Sequence, residues 1–281
     1  MSNFFSGLFG KKEKDVPMRD VSALATPLAT PAIHVVSDST PSRSHFGGSP
    51  ELPSDIAWPL RGGMKLGFLA RLSLAEIQIA LPIDWLPQSG ALLFFYDMEK
   101  QPWGFDPKDR GSWSVLLVPD LAAPTEQLDE GPNGNDSPFP HRNVSFRSIE
   151  VLPSLERDSM SALSLTREES DEYFNISDIP FSDMPKHQVA GFPAPVQGDS
   201  MELECQLVSN GLYCGDSSGY KGPRVPSLTP GATNWRLLLQ IDSDDDLGVM
   251  WGDCGTIYYW VEANEAKSGN FSNTWLVLQC S

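Results

Sequence analysis

The sequence predicts a mainly β fold of the α+β kind, built from two related, internally duplicated antiparallel β-rich halves with a few short helices. Three observations predict it. Apolar runs of strand length recur, rich in β-branched and aromatic residues. The 24 prolines and 23 glycines spread over 281 residues leave little room for long helices. One order of features occurs twice, which is the mark of an internal repeat.

Residues 1–44 read as an extended, partly disordered lead-in rich in Pro, Ser, Thr and Ala, in which His34 to Val36 predict a first edge strand. A domain of residues 45–281 follows, with a first half over 45–150 and a second over 151–281. FGGSPELPSDIAWPL is a Gly/Pro loop packed by its own apolar residues. KLGFLARL (65–72) is a strand, and Leu74 to Ile79 make a helical turn or two. GALLFFYD ending at Asp97 and WSVLLV (113–118) are further strands. Residues 120–145 carry many turn formers and no apolar period, so they predict a surface loop. RSIEVLPSL has strand character, and TREESDEYF opens a helix with Thr166 as N-cap and Glu169 at the capping-box position. WRLLLQIDSD, TIYYWVE and TWLVLQCS are the closing strands.

The repeat pairs FGGSPELP, KLGFLARLSL and GALLFFYD with VAGFPAPV, WRLLLQIDSD and GTIYYWVE, the second copy carrying an insertion over 201–234. The plainer alternative is that β proteins reuse strands and turns. Duplication instead predicts halves packed about a pseudo-two-fold axis, with a groove between them as the site.

The formal charge of −17 and a pI near 4.5 leave no cationic field to neutralise phosphates, so nucleic acid is not a predicted partner. Solubility is one reading of that charge and attraction of a basic polypeptide the other. Cys205, Cys214, Cys254 and Cys280 lack the Cys-x-x-Cys spacing of zinc ribbons and read as mostly reduced and buried. No secretory signal and no apolar run of transmembrane length are visible, so the expectation is cytoplasmic, without stable membrane insertion. Phe4, Phe5, Leu8 and Phe9 ahead of Lys11, Lys12 and Lys14 mimic a short amphipathic anchor, or else a frayed terminus.

Three chemistries compete for the polar motifs. Asp242, Asp244 and Asp246 have the alternation of calcium ligands, with Asp253 at the twelfth place. Leu247 stands where an EF-hand turn wants Gly and the flanks are strands, which favours a solvated acidic loop and no metal. His187 is a candidate acid or base with Asp253 or Asp242, yet no nucleophile is in register, and the charge of Asp253 opposes a Cys254 thiolate. The amides of Gln188, Gln197, Gln240 and Gln279, set on strands, suit an extended backbone or buried loop groups. Trp251 and the other tryptophans offer recognition area or core packing.

The chain resembles the YwqG-like family of bacterial proteins, a domain of unknown function, in FGGSPELPSDIAWP (46–59), FLARLSL (68–74), LPQSGALLFFYD (86–97), HQVAGFPAPVQGD (187–199), WRLLLQIDSD (235–244), MWGDCGTIYYWV (250–261) and WLVLQC (275–280). Arg71 departs from the pattern where that family more often carries Gln, while Gln240 keeps it. The family is in turn distantly similar to proteins of the programmed cell death protein 2 type, associated with escort of a ribosomal protein. Related domains are associated with toxin and immunity neighbourhoods. The resemblance implies a polypeptide-binding role. Together with the residues it gives the expectation of a non-catalytic module, a chaperone, adaptor or immunity-type protein, with no cofactor and a binding neighbourhood of His187, Gln188, Gln197, Gln240, Trp251 and Asp253. A hydrolase using His187 and a calcium-stabilised structural protein are the alternatives.

Overall fold

A computed structural model describes residues 18–120, 140–182 and 184–281. The Phe-rich segment 4–14 and most of the 120–145 stretch lie outside the described residues. Helix α1 (Val21–Ala25), capped by the Asp20 carboxylate, leads into β1 (Thr30–Ser37). Then come β2 (His45–Phe46), a small hairpin of β3 (Leu60–Arg61) and β4 (Met64–Lys65), β5 (Gly67–Ser73), α2 (Leu74–Ala80), β6 (Ala91–Tyr96) and β7 (Trp113–Val118). The remainder comprises β8 (Arg142–Val151), α3 (Asp158–Ser161), α4 (Arg167–Asp178), β9 (Gln188–Val189), α5 (Met201–Ser209), α6 (Val225–Leu228), β10 (Trp235–Asp242), β11 (Thr256–Glu262), α7 (Ala263–Lys267) and β12 (Trp275–Gln279).

The fold is mainly β, as expected, and ten strands form one antiparallel sheet in the order β12-β11-β10-β9-β1-β8-β2-β5-β6-β7. That order reads as two five-strand sets meeting at the β1–β8 pair. His34 faces Gln188 of β9, Asn143 faces His45 of β2, and Val36 faces Ser145. A pseudo-dyad through the Val36–Ser145 pair therefore relates the sets. Both β5 and β10 carry a register irregularity, between Phe68 and Ala70 and between Leu237 and Leu239. Both two-residue strands leave the sheet through consecutive left-handed residues, Gly47 and Gly48 at φ 60° and 69°, Ala190 and Gly191 at φ 61° and 72°.

The placement of β1 corrects the expectation of an edge strand. It pairs along its length with β8 and also meets β9, so it lies mid-sheet with Ala32, Ile33 and Val35 fully buried. Central strands need apolar residues on both faces, and PAIHVV supplies them. Its partners are far away in sequence, which is why the segment reads locally as a terminal strand.

The sheet curls until its edge strands approach. Trp113 of β7 and Trp275 of β12 stand edge to face at 5.0 Å, and the Trp113 indole N–H donates to Thr274 O at 2.8 Å. Inside, Phe94 packs on Tyr259 at 5.1 Å, and the Tyr259 hydroxyl donates to Phe95 O at 3.0 Å. Burial pushes that phenol far above its ordinary pKa, with Tyr96 adding to it. The predicted capping box is formed: Glu169 N–H donates to Thr166 Oγ1 while Thr166 N–H donates to Glu169 Oε2. All four cysteines are free thiols, Cys254 exposed and the others buried.

Candidate functional site

Of the amides singled out in the sequence, Gln188, Gln240 and Gln279 lie on strands, whereas Gln197, expected on one, lies in the loop that follows β9. Gln188 on β9 pairs with Gln240 on β10, which pairs with Tyr258 on β11. Over this row lies the Gly/Pro segment 190–198. Gln188 Nε2–H donates to Ala190 O at 2.6 Å and Phe192 O at 2.7 Å. Gln240 Oε1 accepts from Ala194 N–H at 3.0 Å while its Nε2–H donates to Lys186 O at 2.6 Å. Tyr258 donates its hydroxyl to Ala194 O. Gln279 Oε1 accepts from both Val196 N–H and Gln197 N–H at 3.0 Å, its Nε2–H donating to Gly198 O. Gln197 Nε2–H reaches Cys280 O at 2.8 Å. The extended backbone that these amides hold is the chain's own.

His187 is buried, and both ring nitrogens are engaged. Nδ1 accepts the Asp242 N–H at 3.0 Å, which places the proton on Nε2, facing Asp244 Oδ2 at 3.1 Å. Burial pulls the Asp244 carboxyl upward, yet the His187 contact and the N–H groups of Asp246 and Leu247 hold it below its ordinary value. A general base needs a free lone pair facing solvent or substrate, and this imidazole has none. Asp242 Oδ2 accepts Lys186 N–H and its Oδ1 accepts the Thr256 hydroxyl. Asp246 is exposed on a turn closed by the Asp244–Val249 bridge. These aspartates order a strand-ending loop, and among the described residues no three His, Cys, Asp or Glu groups converge on one point.

Trp251 is fully buried, its indole N–H donating to Asp242 O, whereas Asp253 is exposed and contributes its carbonyl to Ser281 N–H. The structure thus joins His187, Asp242 and Asp244 in one cluster, sets Gln188 and Gln240 under the loop that carries Gln197, and leaves Asp253 apart. Burial raises Cys205 well above a normal thiol and Cys214 to about 11, so neither supplies a thiolate near neutrality.

A cleft of about 1060 Å³ lies between the two halves, and apart from its tryptophans none of its lining residues stood out in the sequence. One wall is the connection after α2, Leu81 to Trp85. The other is built from residues 156–159, 190–192 and 199–203, and the floor from Trp235, Leu237 and Trp260. The cleft opens where β9 ends after two residues and leaves the first turns of β1 and β10 unbridged. Arg157 fixes the second wall, clamping Asp199 at 2.5 and 2.6 Å and Glu202 at 2.8 Å while lying over the Phe192 ring. Asp84, Glu156 and Asp158 are exposed at the rim, and none of them is ion-paired among the described residues. Only the Trp pattern hinted at this site, because its walls lie roughly 70 to 120 positions apart in the chain.

Fold and site together define an internally repeated antiparallel β protein with a ligand-sized cleft between its repeats. The chain belongs to the family described as a domain of unknown function, DUF1963, whose model matches residues 44–280. No curated protein matches it. Among the described residues no helix is long and apolar enough to cross a membrane.

Proposed function

We propose that this protein is a non-catalytic polypeptide-binding module of the cytoplasm, acting as a chaperone, adaptor or immunity-type factor, and that the inter-half cleft is its seat. The observation that carries the reading is the cleft itself: open, floored by aromatic and aliphatic side chains, and rimmed by exposed carboxylates. Such a surface suits an apolar segment with basic flanks, in keeping with the chain's charge of −17. The resemblance to YwqG-like proteins, and through them to the programmed cell death protein 2 type, points the same way. The His187 hydrolase has no comparable support, since that imidazole spends both nitrogens inside the fold.

A random displayed-peptide library panned against the full chain tests the proposal. Enrichment by the wild type, lost when the exposed rim residue Ser159 is changed to Trp, is the expected result. A library that enriches nothing over an unrelated acidic protein would overturn it.

A further inference from the structure

We infer that the cleft takes a tryptophan-bearing, lysine-flanked segment of a partner polypeptide, seated as the first half seats its own Trp58. This inference rests on the polypeptide-binding reading. Its support is the pseudo-dyad. With the β5 and β10 irregularities superposed, Leu66 takes the place of Trp235 and Phe68 that of Leu237. Their neighbours on the adjacent strand, Phe95 and Trp260, then coincide as well, because Phe68 faces Phe95 and Leu237 faces Trp260.

In the first half this place is filled from within. Trp58 stands edge-on to Phe95 at 5.4 Å, and its indole N–H donates to Leu66 O at 2.9 Å. The Lys65 ammonium lies 4.4 Å from the centre of the same indole. An aromatic ring, a carbonyl to receive its N–H and a cation beside it form one unit.

In the second half the corresponding floor, Trp235, Leu237 and Trp260, lines the cleft, with 1–3% of each residue exposed. The carbonyl equivalent to that of Leu66 belongs to Trp235. It is met by the guanidinium of its own neighbour, exposed Arg236, at 2.9 Å. The Trp260 indole N–H is buried with no acceptor among the described residues, and the same floor carries the Trp235 carbonyl, held by a displaceable surface side chain. The rim carboxylates of Asp84, Glu156 and Asp158 supply the charge that lysines flanking an incoming indole would meet. Arg236 is then a placeholder: the incoming indole displaces it from Trp235 O, as Trp58 holds Leu66 O.

The test is fluorescence anisotropy of the full chain with a labelled hexapeptide carrying one tryptophan between lysines, beside counterparts with alanine for tryptophan or glutamate for lysine. The tryptophan peptide is expected to bind about tenfold or more tighter than the alanine one. Asp84→Asn combined with Asp158→Asn should weaken it several-fold and make it less salt-sensitive. Arg236→Ala should tighten it, an effect that a merely structural arginine would not give. Equal affinity for the tryptophan and alanine peptides, or affinity unmoved by all of these changes in chains of unaltered circular dichroism, overturns the inference. Panning separates the two levels: enriched peptides without the Trp/Lys pattern defeat this inference and leave polypeptide binding standing, whereas no enrichment defeats both.

Discussion

His45 is a base that folding has placed where a proton is costly. Burial, with the neighbouring His141 ring stacked at 4.2 Å, lowers its pKa to about 3, and one nitrogen bonds Gly47 O at 2.9 Å. The unfolded chain binds a proton at this position near pH 6.5, as free imidazole does. Its contribution to stability is therefore complete above that pH and declines as pH falls toward 3, by about 1.4 kcal/mol per unit across the window. Urea midpoints measured from pH 7.5 to 4.5 should fall less steeply for His45→Gln than for the wild type; parallel slopes would show that His45 does not sense acid. At this scale the sequence announced which side chains were chemically unusual, but not what they would meet. Gln188, Gln240 and Gln279 stood out as amides able to hold an extended backbone, and the backbone they hold is residues 190–198. Composition cannot distinguish a chain's own loop from a partner's.

The held loop gives each amide a measurable weight. Gln240→Ala leaves Ala194 N–H and Lys186 O without their partner and should cost about 1–3 kcal/mol in urea unfolding. Hydrogen exchange at Ala194 should accelerate more than exchange in β11, and uniform acceleration would contradict a local role. Gly191 turns the loop away from β9 at φ 72°, and a Cβ there would stand 2.6 Å from Ala32 Cβ and 2.7 Å from Val151 Cγ2. Gly191→Ala therefore combines backbone strain with overpacking of the sheet centre, and a loss of about 2 kcal/mol or more is expected in the same assay. Strands and the α4 capping box were legible because apolar runs and caps are local signals. The position of β1 was not, since nothing within PAIHVV names β8 or β9 as its neighbours.

Across the sheet, the strand sets do not follow chain order. β1 precedes everything in the first half yet joins β9 to β12, while β8 completes the set of β2, β5, β6 and β7. Residues 44–280, which the family model spans, omit β1 and so omit a central strand. A protein trimmed to that span should fail to give a cooperative melt or a monomeric elution peak, and a native-like melt would show that β8 and β9 can close the gap unaided. The duplication was visible as a repeated order of loops and strands. A groove between the halves follows from that duplication, but its lining does not, because it arises from where the repeats differ: Trp58 packs over Phe95 in the first, while Trp260 lines the cleft in the second.

That crossing of strands also sets a timetable for synthesis. β1 leaves the ribosome early, but its first partner, β8, starts at Arg142, an interval on the order of ten seconds at ordinary elongation rates. Throughout it, Ile33, Val35 and Val36 form an unpaired apolar strand, with Pro31 at its start and Pro27 just upstream as the nearby breakers of self-association. Closure of so many distant pairings makes for high contact order and slow folding, so the nascent chain spends its most aggregation-prone period waiting for the middle of its own sheet.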